Sequence, residues 1–222
     1  MMNLVTKTPE INRISPYRPH SYRDRDCAPR LYKPNGIDLK TKTTKGNFSF
    51  FIHPVTNNKP CAIINAREAY EMIIGARYAS QTRLLRAITD KDTARNYKAR
   101  SFDYCCFSGT FSTRSAQGLI HHSGFLTIDF DHINNLYSLK RRLIENSSFK
   151  TVLAFTSPSG DGLKWIIKID IEAYSHLNWF NSISGYLRRN YKIEADQSGK
   201  DVSRCCFLPY DPEAYINPKY LA

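Results

Sequence analysis

The chain has 222 residues, 41% of them hydrophobic and 23% charged, with 32 Lys and Arg against 20 Asp and Glu for a net charge of +12. That length admits one sizeable core or a core domain with a smaller appendage, and the composition excludes wholesale disorder and a fibrous class. The basic excess favours a polyanionic partner, nucleic acid first, while the lack of any membrane-length apolar run or apolar leader core excludes membrane and secretory readings and sets a cytoplasmic expectation.

Residues 1–60 hold Pro9, Pro16, Pro19, Pro29, Pro34, Pro54 and Pro60 among many Arg, Lys and Tyr, without sustained periodicity. They are expected to form a basic N-terminal arm, with a strand possible over Phe48 to His53. Tyr17, Arg18, Tyr22, Arg23 and Arg25 interleave rings with guanidinium groups, a composition suited to bases and phosphates or to wrapping the chain's own domain. Residues 61–222 are expected to be the main domain. Cys61 to Ile64 reads as a strand, and Asn65 with Glu68 three residues on makes a capping box for a helix to about Tyr78. A second helical stretch runs through Leu84, Leu85 and Ile88. A third, near Lys91 to Lys98, is basic through Lys91, Arg95, Lys98 and Arg100, and is either a solvated face or a phosphate-facing one.

Farther along, Asp103 to Ser108, Phe125 to Phe130, Thr151 to Thr156, Leu163 to Asp170 and Val202 to Leu208 read as strands. Asn134 to Glu145 and Ser175 to Arg189 read as helices, the latter with Leu177, Phe180, Ile183 and Leu187 inward. Strands alternating with helices predict an α+β sandwich around one sheet. Six cysteines, four of them in the pairs Cys105-Cys106 and Cys205-Cys206, lack metal-ligand spacing and read as buried thiols. Trp165 and Trp179 read as core.

Three segments carry chemistry. In Phe125-Leu126-Thr127-Ile128-Asp129-Phe130-Asp131-His132, the period of two puts Asp129 and Asp131 on one face about 6.5–7 Å apart, with Ile128 and Phe130 opposite. Two anions side by side repel, so a divalent cation, Mg²⁺ or Mn²⁺, is the expected occupant. The turn Ser157-Pro158-Ser159-Gly160-Asp161-Gly162 before Leu163-Lys164 has the composition of a phosphate cradle, with Ser157, Ser159, Gly160, Gly162 and Lys164 as candidate contacts, although a plain hairpin would use the same residues. The third segment, Asp196 to Arg204, offers a further acid in Asp196, or alternatively Asp201, and a phosphate-binding guanidinium in Arg204.

In that order the segments resemble the three motifs of the archaeo-eukaryotic primase-polymerase superfamily. The stretch from about Tyr78 to Tyr220 more closely resembles the VirE N-terminal, primase-like family of bacterial mobile elements, through Phe107 to Phe111, His122-Ser123-Gly124, Asp129 to His132, Ser157 to Trp165, and Asp196 to Arg204 leading into Cys206-Phe207-Leu208. The resemblance implies an RRM-like catalytic sheet in which Asp129, Asp131 and Asp196 hold two metal ions for nucleotidyl transfer on a single-stranded DNA template, with nucleoside triphosphates as substrates. It also implies a role in replicating a mobile element and a separately encoded helicase as partner. The superfamily usually has His where Lys164 stands, and lysine at its ordinary pKa neutralises a triphosphate without shuttling protons near neutrality. That departure keeps open a catalytically inactive nucleic-acid-binding module with the same fold. His121-His122 resembles the paired histidines of Rep-type nucleases, but adjacent residues on a strand point apart.

Overall fold

The computed structural model describes residues 45–221. The first strand, β1 (Phe48–Phe51), pairs with β2 (Ala62–Ile64), and α1 (Ala66–Ile74) follows. The capping box forms as its sequence predicts: Asn65 Oδ1 accepts from Glu68 N–H at 3.0 Å and Glu68 Oε2 accepts from Asn65 N–H at 2.8 Å. The helix stops at Ile74 rather than Tyr78, because Gly75 turns extended (φ −74°, ψ 158°), and after one 3-10 turn α2 (Ala79–Ala87) begins. The basic segment is α3 (Lys91–Ser101), capped by Asp90 and without a fully buried residue.

Strands β3 (Tyr104–Cys106), β4 (Gly109–Phe111), β5 (Leu119–His122) and β6 (Phe125–Phe130) lead to α4 (Leu136–Ile144). Then come β7 (Lys150–Thr156), β8 (Leu163–Lys168), α5 (His176–Tyr191), β9 (Cys206–Phe207) and β10 (Tyr215–Ile216). The class is α+β and every strand pairing is antiparallel. Instead of the single sheet expected, the described residues form two four-stranded sheets, β2-β1-β3-β9 and β10-β7-β8-β6, with a β4-β5 ribbon. β1 is an inner strand, so this part of the expected 1–60 arm lies within the folded body. The aromatic and arginine residues from Tyr17 to Arg25 lie outside the described residues.

Alternation in the strands sorts the cores. Leu126, Ile128 and Phe130 of β6 and Leu163, Trp165 and Ile167 of β8 join Leu139 and Leu143 of α4 and Phe180, Ile183 and Leu187 of α5. The opposite face, with Phe125 and Ile166, joins Phe48, Phe50 and α1 residues Ala66, Ala69 and Ile73. Adjacent cysteines point apart, Cys105 into that central core and Cys106 into a smaller one with Phe51, Tyr104 and Phe111. Leu177, expected inward, is 47% exposed, since the apolar stripe of α5 begins one turn later at Phe180. Trp165 is fully buried and Trp179 half-buried.

Candidate functional site

Asp129 occupies the last turn of the pleat in β6 and is 1% exposed. Directly opposite on β8 stands Lys164, whose Nζ lies 2.7 Å from Asp129 Oδ1. From the segment before β9, Arg204 Nη2 donates to Asp129 Oδ2 at 3.0 Å and to Asp196 Oδ2 at 3.0 Å. The Asp196 backbone N–H donates to the Asp129 carbonyl at 2.9 Å, which fastens the third segment to the edge of β6. Asp196 is thus the acid brought to Asp129. Asp201 instead accepts from Ser203 N–H and Oγ–H within its own turn and is exposed. Those local side-chain-to-backbone bonds also explain why the strand expected from Val202 shrinks to Cys206–Phe207.

Asp131 lies just past the strand and is exposed, unlike Asp129. The glycine turn reaches it. A Cβ on Gly162 would stand 2.6 Å from the Phe130 carbonyl and 3.3 Å from Asp131 Oδ1, so only glycine lets the turn close on the end of β6. His132, at φ 56°, pairs with Asp161 across 2.8 Å, and Ile133 N–H donates to the Asp161 carbonyl. Much of the turn's donor capacity is spent internally. Ser157 N–H bonds the Gly162 carbonyl, Gly160 N–H the Ser157 carbonyl, and Gly162 N–H the Ser157 Oγ. These three bonds close a hairpin. Its outer side is held by Arg86 of α2, which donates to the carbonyls of Ser157 and Pro158; Ser159 is exposed, and Gly160 takes φ +89° beside that guanidinium. Arg86 carried no signal in the sequence, since a basic residue on a helix is ordinarily solvated.

The electrostatics are close to balanced. Burial alone would lower the pKa of Lys164, but the adjacent Asp129 carboxylate outweighs it and the ammonium sits above its ordinary value. Lys164 is therefore a fixed cation rather than a proton shuttle. Burial opposes the charge of Arg204 as well, and Asp129 again raises it. Burial works against the Asp196 carboxylate, which is held below the usual range by its bonds from Ser198 and by Arg204. Lys98 of α3 joins this group: burial, then repulsion from Lys164, lowers its pKa, while Asp131 and Asp161 pull the other way.

One atom in the cluster lacks an acceptor and another meets its partner as an ion pair. Asp129 Oδ1 is ion-paired with Lys164 Nζ at 2.7 Å, whereas Arg204 Nε has no acceptor. Five buried side-chain polar atoms among the described residues lack a hydrogen-bond partner, Arg204 Nε and the ion-paired Asp129 Oδ1 among them. Such atoms ordinarily find partners. Among the described residues no group of three or more His, Cys, Asp or Glu side chains is gathered closely enough to hold a metal ion.

The histidine pair is resolved differently from a nuclease motif. Gly124 N–H donates to His122 Nδ1 at 3.0 Å, which leaves the proton of the neutral ring on Nε2, 3.1 Å from His176 Nδ1. His176 Nε2–H then reaches the Gly199 carbonyl at 3.2 Å. Burial, and then His176, lower the pKa of His122 to about 4. The pair is a neutral chain linking the start of β6 to α5 and to the turn after Asp196.

No helix among the described residues is long and apolar enough to cross a membrane. The family model of the BT4734-like, N-terminal domain matches residues 97–216, which include Lys98, Asp129, Asp131, Lys164, Asp196 and Arg204. No curated protein and no solved structure matches the chain.

Proposed function

The chain belongs to the BT4734-like N-terminal domain family, and from that premise we propose that it is a primase-polymerase-like nucleotidyltransferase domain of a mobile genetic element, extending or priming a strand on a single-stranded DNA template. The observation that carries this reading is the gathering of Lys164 and Arg204 with Asp129 and Asp196, beside the exposed Asp131, with Arg204 Nε still without an acceptor. Arg204 Nε lacks an acceptor and the exposed Asp131 makes no ion pair among the described residues, and a divalent ion bound to a nucleoside triphosphate would answer both. In this reading Asp129 and Asp131 would hold Mg²⁺ or Mn²⁺ with Asp196 as the third acid, which requires the ion to displace Lys164 from Asp129 and the three carboxylates to draw closer than they stand. Such an ion supplies charge stabilisation to the entering and leaving oxygens of a phosphoryl centre.

The chain's own residues do the rest. Lys98, Lys164 and Arg204 neutralise and orient the phosphates, Gly162 keeps room beside Asp131, and Arg86 fixes the turn. Because Lys164 stays protonated, its contribution is charge, and proton removal from the attacking hydroxyl falls to solvent or to a carboxylate. In this reading the two sheets and helices correspond to an RRM-like catalytic core, and a separately encoded helicase is a fitting partner.

A second reading, a nucleic-acid-binding module without catalysis, is favoured by one observation: Asp129 already carries Lys164 and Arg204, so its charge is answered from within. Calorimetry with Mn²⁺ and a nucleoside triphosphate analogue that cannot be transferred separates the two. Transferase function predicts saturable, Mn²⁺-dependent nucleotide binding that weakens about ten- to hundredfold in Asp131→Asn. Oligonucleotide binding without any Mn²⁺-dependent nucleotide binding would leave the module reading standing instead.

A further inference from the structure

At the other end of β8 lies a second group of charges arranged in the opposite way. Lys150, which opens β7, stands directly across from Lys168, which closes β8. Lys45 lies beside them, all three are exposed, and they rim a cavity of about 330 Å³. Like charges placed directly opposite on neighbouring strands destabilise a sheet. None of the ion pairs among the described residues involves any of the three. The cavity's one carboxylate, Asp170, has Oδ1 engaged by Glu172 N–H at 3.1 Å.

The inner wall is apolar and aromatic. Phe149 and Trp179 line it with Ile167, Ile169 and Ile183. Both rings are fixed in place: Trp179 Nε1–H donates to the Asp170 carbonyl at 2.7 Å, and Phe149 is held edge-on between Trp165 and Tyr186. A concave site of this size with a rigid apolar wall and three lysines at its rim is of the kind that takes a small ligand or one unit of a larger one. The charges call for an anion with several oxygens, and the wall for a flat, weakly polar ring.

We infer that this pocket binds a phosphorylated nucleotide unit, its phosphate on Lys45, Lys150 and Lys168 and its base against Phe149 and Trp179. Lys168 follows Lys164 by four residues along β8, about 13 Å at strand spacing, so the pocket is distinct from the Asp129 cluster and extends the proposed function with a second point of contact. The nucleotide unit comes either from a free nucleoside triphosphate or from a single strand.

Trp179 is half-buried and Trp165 fully buried, so tryptophan emission from the whole chain reports on the pocket through Trp179. Titrations with a nucleoside triphosphate, with an oligothymidylate strand and with inorganic triphosphate form the three arms. A saturable change is expected in at least one of the first two, and which one responds identifies the source. The response should weaken about tenfold or more in Lys150→Ser with Lys168→Ser. It should persist in Lys59→Ser with Lys192→Ser, which removes the same charge elsewhere. All titrations are run without divalent ions, where the proposed site at Asp129 and Asp131 takes no metal-bound nucleotide, so that failure of the transferase reading leaves this pocket standing. No saturable change with nucleotide or strand, equal weakening in the two double variants, or inorganic triphosphate binding as tightly as nucleotide would each overturn the inference. Circular dichroism of the double variants separates loss of binding from loss of fold.

Discussion

The two ends of the β6–β8 ladder carry charge under opposite rules. At one end Asp129 faces Lys164 across the strands, with Arg204 closing the group, and the acid is 1% exposed. At the other, exposed Lys168 faces exposed Lys150, and neither is in any of the ion pairs among the described residues. The first arrangement exchanges solvation for paired charge in a low-dielectric setting, where removing one partner is costly. The second tolerates repulsion because water screens it. Charge that is buried and nearly balanced is thus part of the fold as well as of any chemistry, whereas charge that is exposed and unanswered is available to a ligand at little cost to the fold.

The largest effect expected from this contrast is at Asp129. Asp129→Ala leaves Lys164 buried without its counter-ion and should lower unfolding free energy by about 3–5 kcal/mol in urea titration. Lys164→Met alone should also destabilise, and the double replacement should cost clearly less than the sum of the two, a coupling a double-mutant cycle measures. Additive costs would mean that the pair is not coupled. Arg204→Met is next, at about 1.5–3 kcal/mol, since a partly exposed guanidinium leaves water able to replace one of its bonds to Asp129 or Asp196.

The histidine chain gives a pH dependence. With a folded pKa of about 4 against 6.5 ordinarily, His122 binds its proton more readily unfolded. Its contribution is therefore fully present above pH 6.5 and is lost as pH falls towards 4. Melting temperature should drop across that window, and His122→Asn should flatten the slope above pH 5, before most carboxylates titrate. An unchanged slope would remove His122 as the cause. The smallest effect has the opposite sign: Lys150→Ser relieves the repulsion with Lys168 and should raise stability by about 0.2–1 kcal/mol.

Much of this was legible in the sequence, for physical reasons that differ by segment. The D-x-D strand was readable because period two is unambiguous when Ile128 and Phe130 are apolar, and the capping box because Asn65 and Glu68 act locally. What the two acids do was not readable. Alternation places Asp129 and Asp131 on one side but does not reveal that β6 ends between them, leaving one buried and the other exposed. The strands of the sheet β2-β1-β3-β9 were readable one by one, but not their separation from β6, β7 and β8, because strand pairing is set by long-range register; β4 and β10, of three and two residues, are too short for any periodicity. Arg86, Lys98 and the facing of Lys150 by Lys168 depend on long-range register, which a linear pattern does not carry.

The most direct test of the transferase reading is incorporation of labelled nucleotides on a single-stranded DNA template in Mg²⁺ or Mn²⁺, comparing the wild-type chain with Asp131→Asn. Because Asp131 is exposed, the variant should melt with the wild type, so a difference in product reports chemistry rather than folding. The account predicts template-dependent product from the wild type, reduced about a hundredfold or more in the variant. Equal product from both proteins, or none from a folded wild type that binds the template, would contradict it.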